Sequence, residues 1–203
     1  MLPFDAILFD VGGVLLTNGW DHRERASVIA QFGLDLAAFE ARHPLQNDAW
    51  ERDAISLDAY LDATVFYEPR SFSKANFFVA MCAQSLPLEN GAMGILAELA
   101  ASGKYRMGVL NNEARATNDY RFERYGIRQQ IHVAFSSCYL GLRKPHADIY
   151  RRALDILGGP AERKLFIDDR AENAAGAVAA GMKAIRFEGA DKLRNDLAAL
   201  GVF

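Results

Sequence analysis

The chain has 203 residues, 51% hydrophobic and 24% charged, which is long enough for one core plus a small insert and too apolar for a disordered segment. A net charge of -3, a pI near 5.8 and no run of Lys or Arg leave no electrostatic footprint for nucleic acid or an anionic membrane, so a small molecule is the default partner. The two cysteines, Cys82 and Cys138, exclude a disulfide scaffold, share no metal-ligand spacing with the four histidines and read as reduced core residues.

The first element is a short apolar run from Ala6 to Phe9, read as a buried strand. Asp5 and Asp10 interrupt the N-terminal apolar stretch and no basic segment precedes it, so it does not read as a signal peptide. No stretch approaches the ~20 apolar residues of a membrane span, and a cytoplasmic protein is expected. The next strand begins only near Met107, whereas a βαβ unit needs ~30 residues or a little more. The surplus, about 18–87, carries helical patterns at 22–32, 36–51, 57–66 and 73–83 and no convincing strand. Gly33 sits where a helix should end and Ser56 where one should be capped, while Pro44, Pro69 and Pro87 limit the alternatives. A small helical bundle is therefore predicted there.

Beyond it, strands are predicted at Met107 to Leu110, Val133 to Phe135, Leu165 to Ile167 and Ala184 to Phe187. Their apolar residues do not alternate with polar ones, as a parallel sheet covered on both faces requires. Amphipathic helices are predicted at 91–102, 113–125, 147–157, 171–180 and 191–200. The order is that of an α/β protein with a Rossmann-like, doubly wound parallel sheet and an inserted α-helical unit. The expected division is a core of 1–17 and 88–203 and an insert of 18–87.

In such a sheet, ligands bind at the carboxyl ends of the strands, so the residues that terminate the apolar runs are the candidates for chemistry. Asp10 is followed by two glycines, Gly12 and Gly13, within Phe9-Asp-Val-Gly-Gly-Val-Leu15, which lets a ligand or ion approach the backbone. Asn111 and Asn112 precede a helix whose free N–H groups favour an anion. Lys144 lies in the loop Gly141-Leu-Arg-Lys-Pro145, and the doublet Asp168 and Asp169 ends the run Leu165 to Ile167. Adjacent acids at the end of a buried strand repel each other unless a cation sits nearby, and carboxylate oxygens are what Mg²⁺ prefers. A dianionic phosphate monoester could approach Asp10 among these acids only if Mg²⁺ and Lys144 neutralised part of the charge. Asp10 would then attack to form an aspartyl-phosphate, with Asn111, Asn112 and Lys144 holding the phosphoryl oxygens.

In this order the four places resemble the motifs of the haloacid dehalogenase-like superfamily, in its phosphatase branch. Phe9 to Leu15 is similar to the first motif, and Val109-Leu-Asn-Asn112 to the second, where Asn111 stands at a position usually Ser or Thr. Gly141 to Pro145 is similar to the lysine motif, and Phe166-Ile-Asp-Asp-Arg-Ala-Glu-Asn173 to the acidic one. The resemblance implies a phosphatase whose insert is a helical cap that selects a small phosphorylated metabolite. It also implies Mg²⁺ bound by Asp10, the Gly12 carbonyl and Asp169, with Asp168 acting directly or through a water.

One departure matters. The family's phosphatases have a second Asp two residues after the nucleophile, which protonates the leaving group, and this chain has Gly12 there. General acid–base help is typically worth ~10²–10⁴-fold, so either an easy leaving group or another donor, from the cap or Glu113, must compensate. A metal-independent dehalogenase and a non-catalytic phospho-ligand binder are the alternatives. The acidic doublet argues against the former, since uncompensated acids repel a carboxylate substrate. Within the insert, Trp20, Arg42 and Trp50 are candidates for substrate contact, with Arg70 beside them, against a competing reading as packing and surface ion pairs. His22, His43, His132 and His146 show no ligand spacing and are assigned no role.

Overall fold

The computed structural model describes residues 2–203. Five parallel strands, β1 (Ala6–Phe9), β2 (Arg106–Asn111), β3 (Val133–Ser136), β4 (Lys164–Asp168) and β5 (Lys183–Arg186), form one sheet in the order β3-β2-β1-β4-β5. β1 is therefore central, with Phe9 level with Val109 on one side and Ile167 on the other. That register brings the residues ending β1, β2 and β4 to one edge of the sheet.

The unbroken apolar strands are explained by the two faces they serve. Successive side chains of a strand point to opposite faces. Ile7 and Phe9, with Met107, Val109, Leu165 and Ile167, pack against α5 (Met93–Ser102), α6 (Arg115–Arg124) and α10 (Ala190–Ala199). Leu8, Leu110, Phe135 and Phe166 bury into the opposite layer, where α8 (Ala147–Leu157) and α9 (Ala171–Ala179) lie. A single turn of helix, α7 (Ser137–Leu140), which the periodicity does not predict, follows β3.

Between β1 and α5 lie α1 (His22–Gln31), α2 (Leu36–Glu51), α3 (Leu57–Thr64) and α4 (Lys74–Cys82). They share an apolar cluster of their own, with Trp20, Phe39, Trp50, Tyr60 and Phe77 at its centre. Each start is capped by a side-chain oxygen: Asp21, Asp35, Ser56 and Ser73 accept N–H groups that the first turn cannot satisfy. Gly33, just past α1, adopts φ +64°, the left-handed conformation that ends helices at little cost for glycine. α2 runs through Pro44, whose missing N–H leaves the Glu40 carbonyl without its helical donor. No helix among the described residues is long and apolar enough to cross a membrane.

Candidate active site

Asp10 follows β1 directly, and its N–H donates to the Ile167 carbonyl at 2.8 Å, so the turn that carries it is tied to β4. Its Oδ1 accepts from the Val11 N–H at 2.8 Å. Lys144, with its side chain 1% exposed, places Nζ 3.0 Å from Asp10 Oδ1 and 2.6 Å from Asp168 Oδ2. The loop carrying this lysine is clamped by Asn112, whose amide donates to the Lys144 carbonyl and accepts from its N–H, both at 2.9 Å. One buried ammonium thus lies between two buried carboxylates.

Asp168 and Asp169 are adjacent in sequence and differ in what they touch. Asp168 accepts from the Arg170 N–H and the Asn173 amide as well as Lys144, so its oxygens are spoken for. Asp169 Oδ1 is buried and has no hydrogen-bond partner among the described residues. One carboxylate oxygen from each of Asp10, Asp168 and Asp169 lies within 4.8 Å of the others. The Gly12 carbonyl also accepts no hydrogen bond among the described residues. An orphaned carboxylate oxygen within 4.8 Å of oxygens from two more acids is an all-oxygen donor set that fits a hard cation.

The charges fit the same picture. Burial pushes the Asp10 carboxyl up to about 7, Lys144 pulling it down and Asp168 adding to the rise. Burial likewise holds Asp169 above the usual carboxylate range, with Asp168 reinforcing it. Burial pulls the Lys144 ammonium down, but Asp10 and Asp168 outweigh it and hold it above its ordinary value. Gly13 is where this site needs glycine: φ is +74°, and a Cβ there would lie 2.4 Å from Asp169 Oδ2. At Gly12 a Cβ would meet Asn18 Oδ1 at 3.0 Å, so Asn18 occupies the space an aspartate at 12 would need.

Above this cluster lies a cavity of about 370 Å³, lined by Asp10, Gly12, Asn112 and Lys144 below and by residues of the helical insert above. From α2 come His43, Asn47, Trp50 and Glu51, a stripe at i, i+4, i+7 and i+8 on one face. Trp20 and Trp50 line the cavity while also packing: Trp50 stacks on Tyr60 at 4.0 Å between ring centres, and Trp20 Nε1 donates to the Tyr60 hydroxyl at 2.8 Å. Insert and core are tied by Arg143, which reaches Asp48 at 3.1 Å and Glu51 at 2.7 Å, and by Arg170 to Asp21 at 3.3 Å.

Several residues considered for the site on sequence lie differently in the structure. Arg42 does not line the cavity: one residue before His43, it is turned about 100° around the helix, and its guanidinium lies 3.7 Å over the Tyr67 ring. Arg70 is also absent from the lining and pairs with Glu68 at 2.7 Å. The Asn111 side chain points inward, donating to Asn118 at 2.9 Å and accepting from Ser136 at 2.8 Å, so any grip on a phosphate there falls to main-chain groups. Glu113, considered as a proton donor, gives one oxygen to Thr117 and the other to Arg121 at 2.5 Å. His43, set aside on sequence, lines the cavity; the α2 stripe was the signal that could have found it. His146 also borders the cavity and is exposed.

A family model described as haloacid dehalogenase-like hydrolase matches residues 4–181. The chain is 27% identical over 197 residues to flavin mononucleotide hydrolase 1 of Arabidopsis thaliana, covering 97% of this chain and 77% of that protein. It is 25% identical over 223 residues to phosphatase MT3486 of Mycobacterium tuberculosis, covering 98% and 96%. Among solved structures, the fold is similar to a HAD family enzyme, bt-2542, of Bacteroides thetaiotaomicron in complex with magnesium and inorganic phosphate. There the TM-score is 0.72 at 17% identity, over 92% of this chain and 95% of the other. It is also similar to the L-2-haloacid dehalogenase PA0810, with TM-score 0.62 at 18% identity over 89% and 83%.

Proposed function

The chain belongs to the haloacid dehalogenase-like hydrolases, and from that we propose that it is a magnesium-dependent phosphohydrolase of a small phosphorylated metabolite, with Asp10 as nucleophile. The observation that carries this reading is the pairing of Lys144, between Asp10 and Asp168, with the unpartnered oxygen of Asp169. Three carboxylates and one ammonium leave a surplus of negative charge that a cation must offset before an anionic substrate can approach. A metal-free dehalogenase has no use for that surplus, so dehalogenation is the weaker reading even though one fold neighbour is a dehalogenase.

Asp10, the Gly12 carbonyl and Asp169 would hold Mg²⁺, with Asp168 behind them orienting Lys144. Bound there, the ion supplies a Lewis acid that neutralises charge on the phosphoryl oxygens. An Asp10 oxygen attacks phosphorus, the bond to the ester oxygen breaks, and water then cleaves the aspartyl-phosphate. Lys144 balances the charge on Asp10 and the phosphoryl group throughout. Asn18, in the place of the usual acid, can orient a leaving group or a water but has no proton to give. Glu113 is paired with Arg121. The leaving groups this site serves best are accordingly those that need little protonation, such as anomeric or acyl phosphates. A phosphate-release screen of sugar phosphates, nucleotides and acyl phosphates with and without Mg²⁺ tests the proposal: Mg²⁺-stimulated release supports it, and halide release insensitive to EDTA from a haloacid overturns it.

A further inference from the structure

The aromatic roof of the cavity holds a histidine whose protonation state is dictated by its neighbours. The Tyr60 hydroxyl is fully buried and has two partners among the described residues, Trp20 Nε1 at 2.8 Å and His43 Nδ1 at 2.8 Å. An indole N–H can only donate, so Tyr60 accepts from Trp20. Its own proton then has one acceptor available, His43 Nδ1, because a buried hydroxyl proton left unpaired costs free energy comparable to a lost hydrogen bond. His43 therefore accepts at Nδ1 and carries its proton on Nε2.

That second nitrogen has no partner among the described residues, and His43 lines the cavity while being only 6% exposed. The ring is held in place by stacking on Phe39, 5.7 Å between ring centres, and by Tyr60, which is itself pressed against Trp50. Burial pushes the imidazole down to about 4, with Arg25 adding to the effect against Glu40 and Asp21, so it stays neutral at physiological pH. A neutral N–H on a ring that lines a polar cavity and is braced by its neighbours is a hydrogen-bond donor made ready before any ligand arrives, and such a donor discriminates for substrates that offer it an oxygen.

We propose that His43, set by the Trp20–Tyr60 relay, is a specificity-determining residue that donates from Nε2 to a hydroxyl or carbonyl oxygen of the substrate's leaving group. The inference rests on the phosphohydrolase reading and narrows its substrates to phosphate esters whose leaving group bears such an oxygen. It also gives Tyr60 a task beyond packing, since Tyr60 orients the donor without touching the substrate.

Two substitutions separate this role from a structural one. Asparagine at position 43 can keep an acceptor near the place of Nδ1, preserving the bond to Tyr60 while losing the cavity donor. Glutamine can place an N–H near Nε2 while losing the bond to Tyr60. The probes are a hexose 1-phosphate, a pentose 5-phosphate and glycerol 3-phosphate, with phenyl phosphate as the ester whose leaving group carries no hydroxyl. For whichever hydroxylated ester is cleaved fastest, His43→Asn is expected to raise KM about tenfold, while KM for phenyl phosphate stays within about twofold and kcat is retained. His43→Gln is expected to recover most of that loss. Nitrogen-detected NMR of the ring in the wild type should find the proton on Nε2. A proton on Nδ1, or an Asn variant matching the wild type while Gln fails, overturns the proposal. No phosphate release from any ester strikes the phosphohydrolase reading and this proposal with it, whereas release with a KM indifferent to His43→Asn strikes the proposal alone.

Discussion

Replacing Lys144 by methionine keeps the length of the side chain and removes the charge that stands between Asp10 and Asp168. The ammonium is within 3.0 Å of one carboxylate and 2.6 Å of the other, with the lysine side chain 1% exposed. Removing one partner from a buried ion pair typically costs about 3–5 kcal/mol, because the remaining charge stays desolvated. Here two carboxylates remain, facing each other, so a cost at the upper end of that range is expected near pH 8 without Mg²⁺. For a chain of this size that is a fall in Tm of roughly 10–20 °C. The sign of the pH dependence follows from the acids. Burial already raises the Asp10 carboxyl to about 7, and the variant loses the pull of Lys144 against that rise, so its stability is retained at low pH and lost as pH rises. Urea unfolding of wild type and Lys144→Met at pH 5.5 and pH 8, each with and without Mg²⁺, measures this. The deficit should shrink on acidification and on adding Mg²⁺. A deficit below about 1 kcal/mol, or one indifferent to both, would refute the argument that Lys144 compensates two buried carboxylates.

Two further predictions concern the acid that is missing and the histidine above it. Gly12→Asp combined with Asn18→Ala, which clears the oxygen 3.0 Å from the new Cβ, should speed hydrolysis of alkyl phosphates by roughly 10²-fold relative to acyl phosphates, read as a ratio of initial rates. An unchanged ratio would mean that leaving-group protonation does not limit the rate. For His43, folded-state affinity for a proton is lowered to about 4 from an ordinary 6.5, so its contribution to stability is complete above pH 6.5 and drains away as pH falls. Between pH 7 and pH 5 this amounts to about 2 kcal/mol, measured as the urea stability that wild type loses and His43→Gln keeps.

Much of the fold is legible in the sequence because its strongest signals are long-range in kind but local in form. Unbroken apolar runs such as Leu165 to Ile167 mark strands buried on both faces, and the helix predicted at 147–157 coincides with α8. Of the four caps, Ser56 is read from the sequence, while Asp21, Asp35 and Ser73 emerge only with the structure. The single turn α7 is not, since four residues carry no period. At the site, the ends of β1 and β4 bring Asp10, Asp168 and Asp169 together, and the loop after α7 brings Lys144 to them. What position cannot reveal is where a side chain spends its hydrogen bonds. Asn111 and Asn112 are adjacent in sequence, yet one is bound inward to Asn118 and Ser136 and the other clamps the Lys144 loop. Arg42 and His43 are likewise adjacent, and the rotation of one residue around α2 decides which of them meets the cavity.

On the proposed reading, Asp10 attacks phosphorus with the help of a cation held by its acidic neighbours. The most direct measurement is the initial rate of phosphate release by wild type and Asp10→Asn, each after EDTA treatment and again after Mg²⁺ is restored. Wild type should lose release with EDTA and regain it with Mg²⁺, while Asp10→Asn, which removes the nucleophile, should show no release above background in either condition. Release by Asp10→Asn at the wild-type rate, or a wild-type rate untouched by EDTA, would contradict the account.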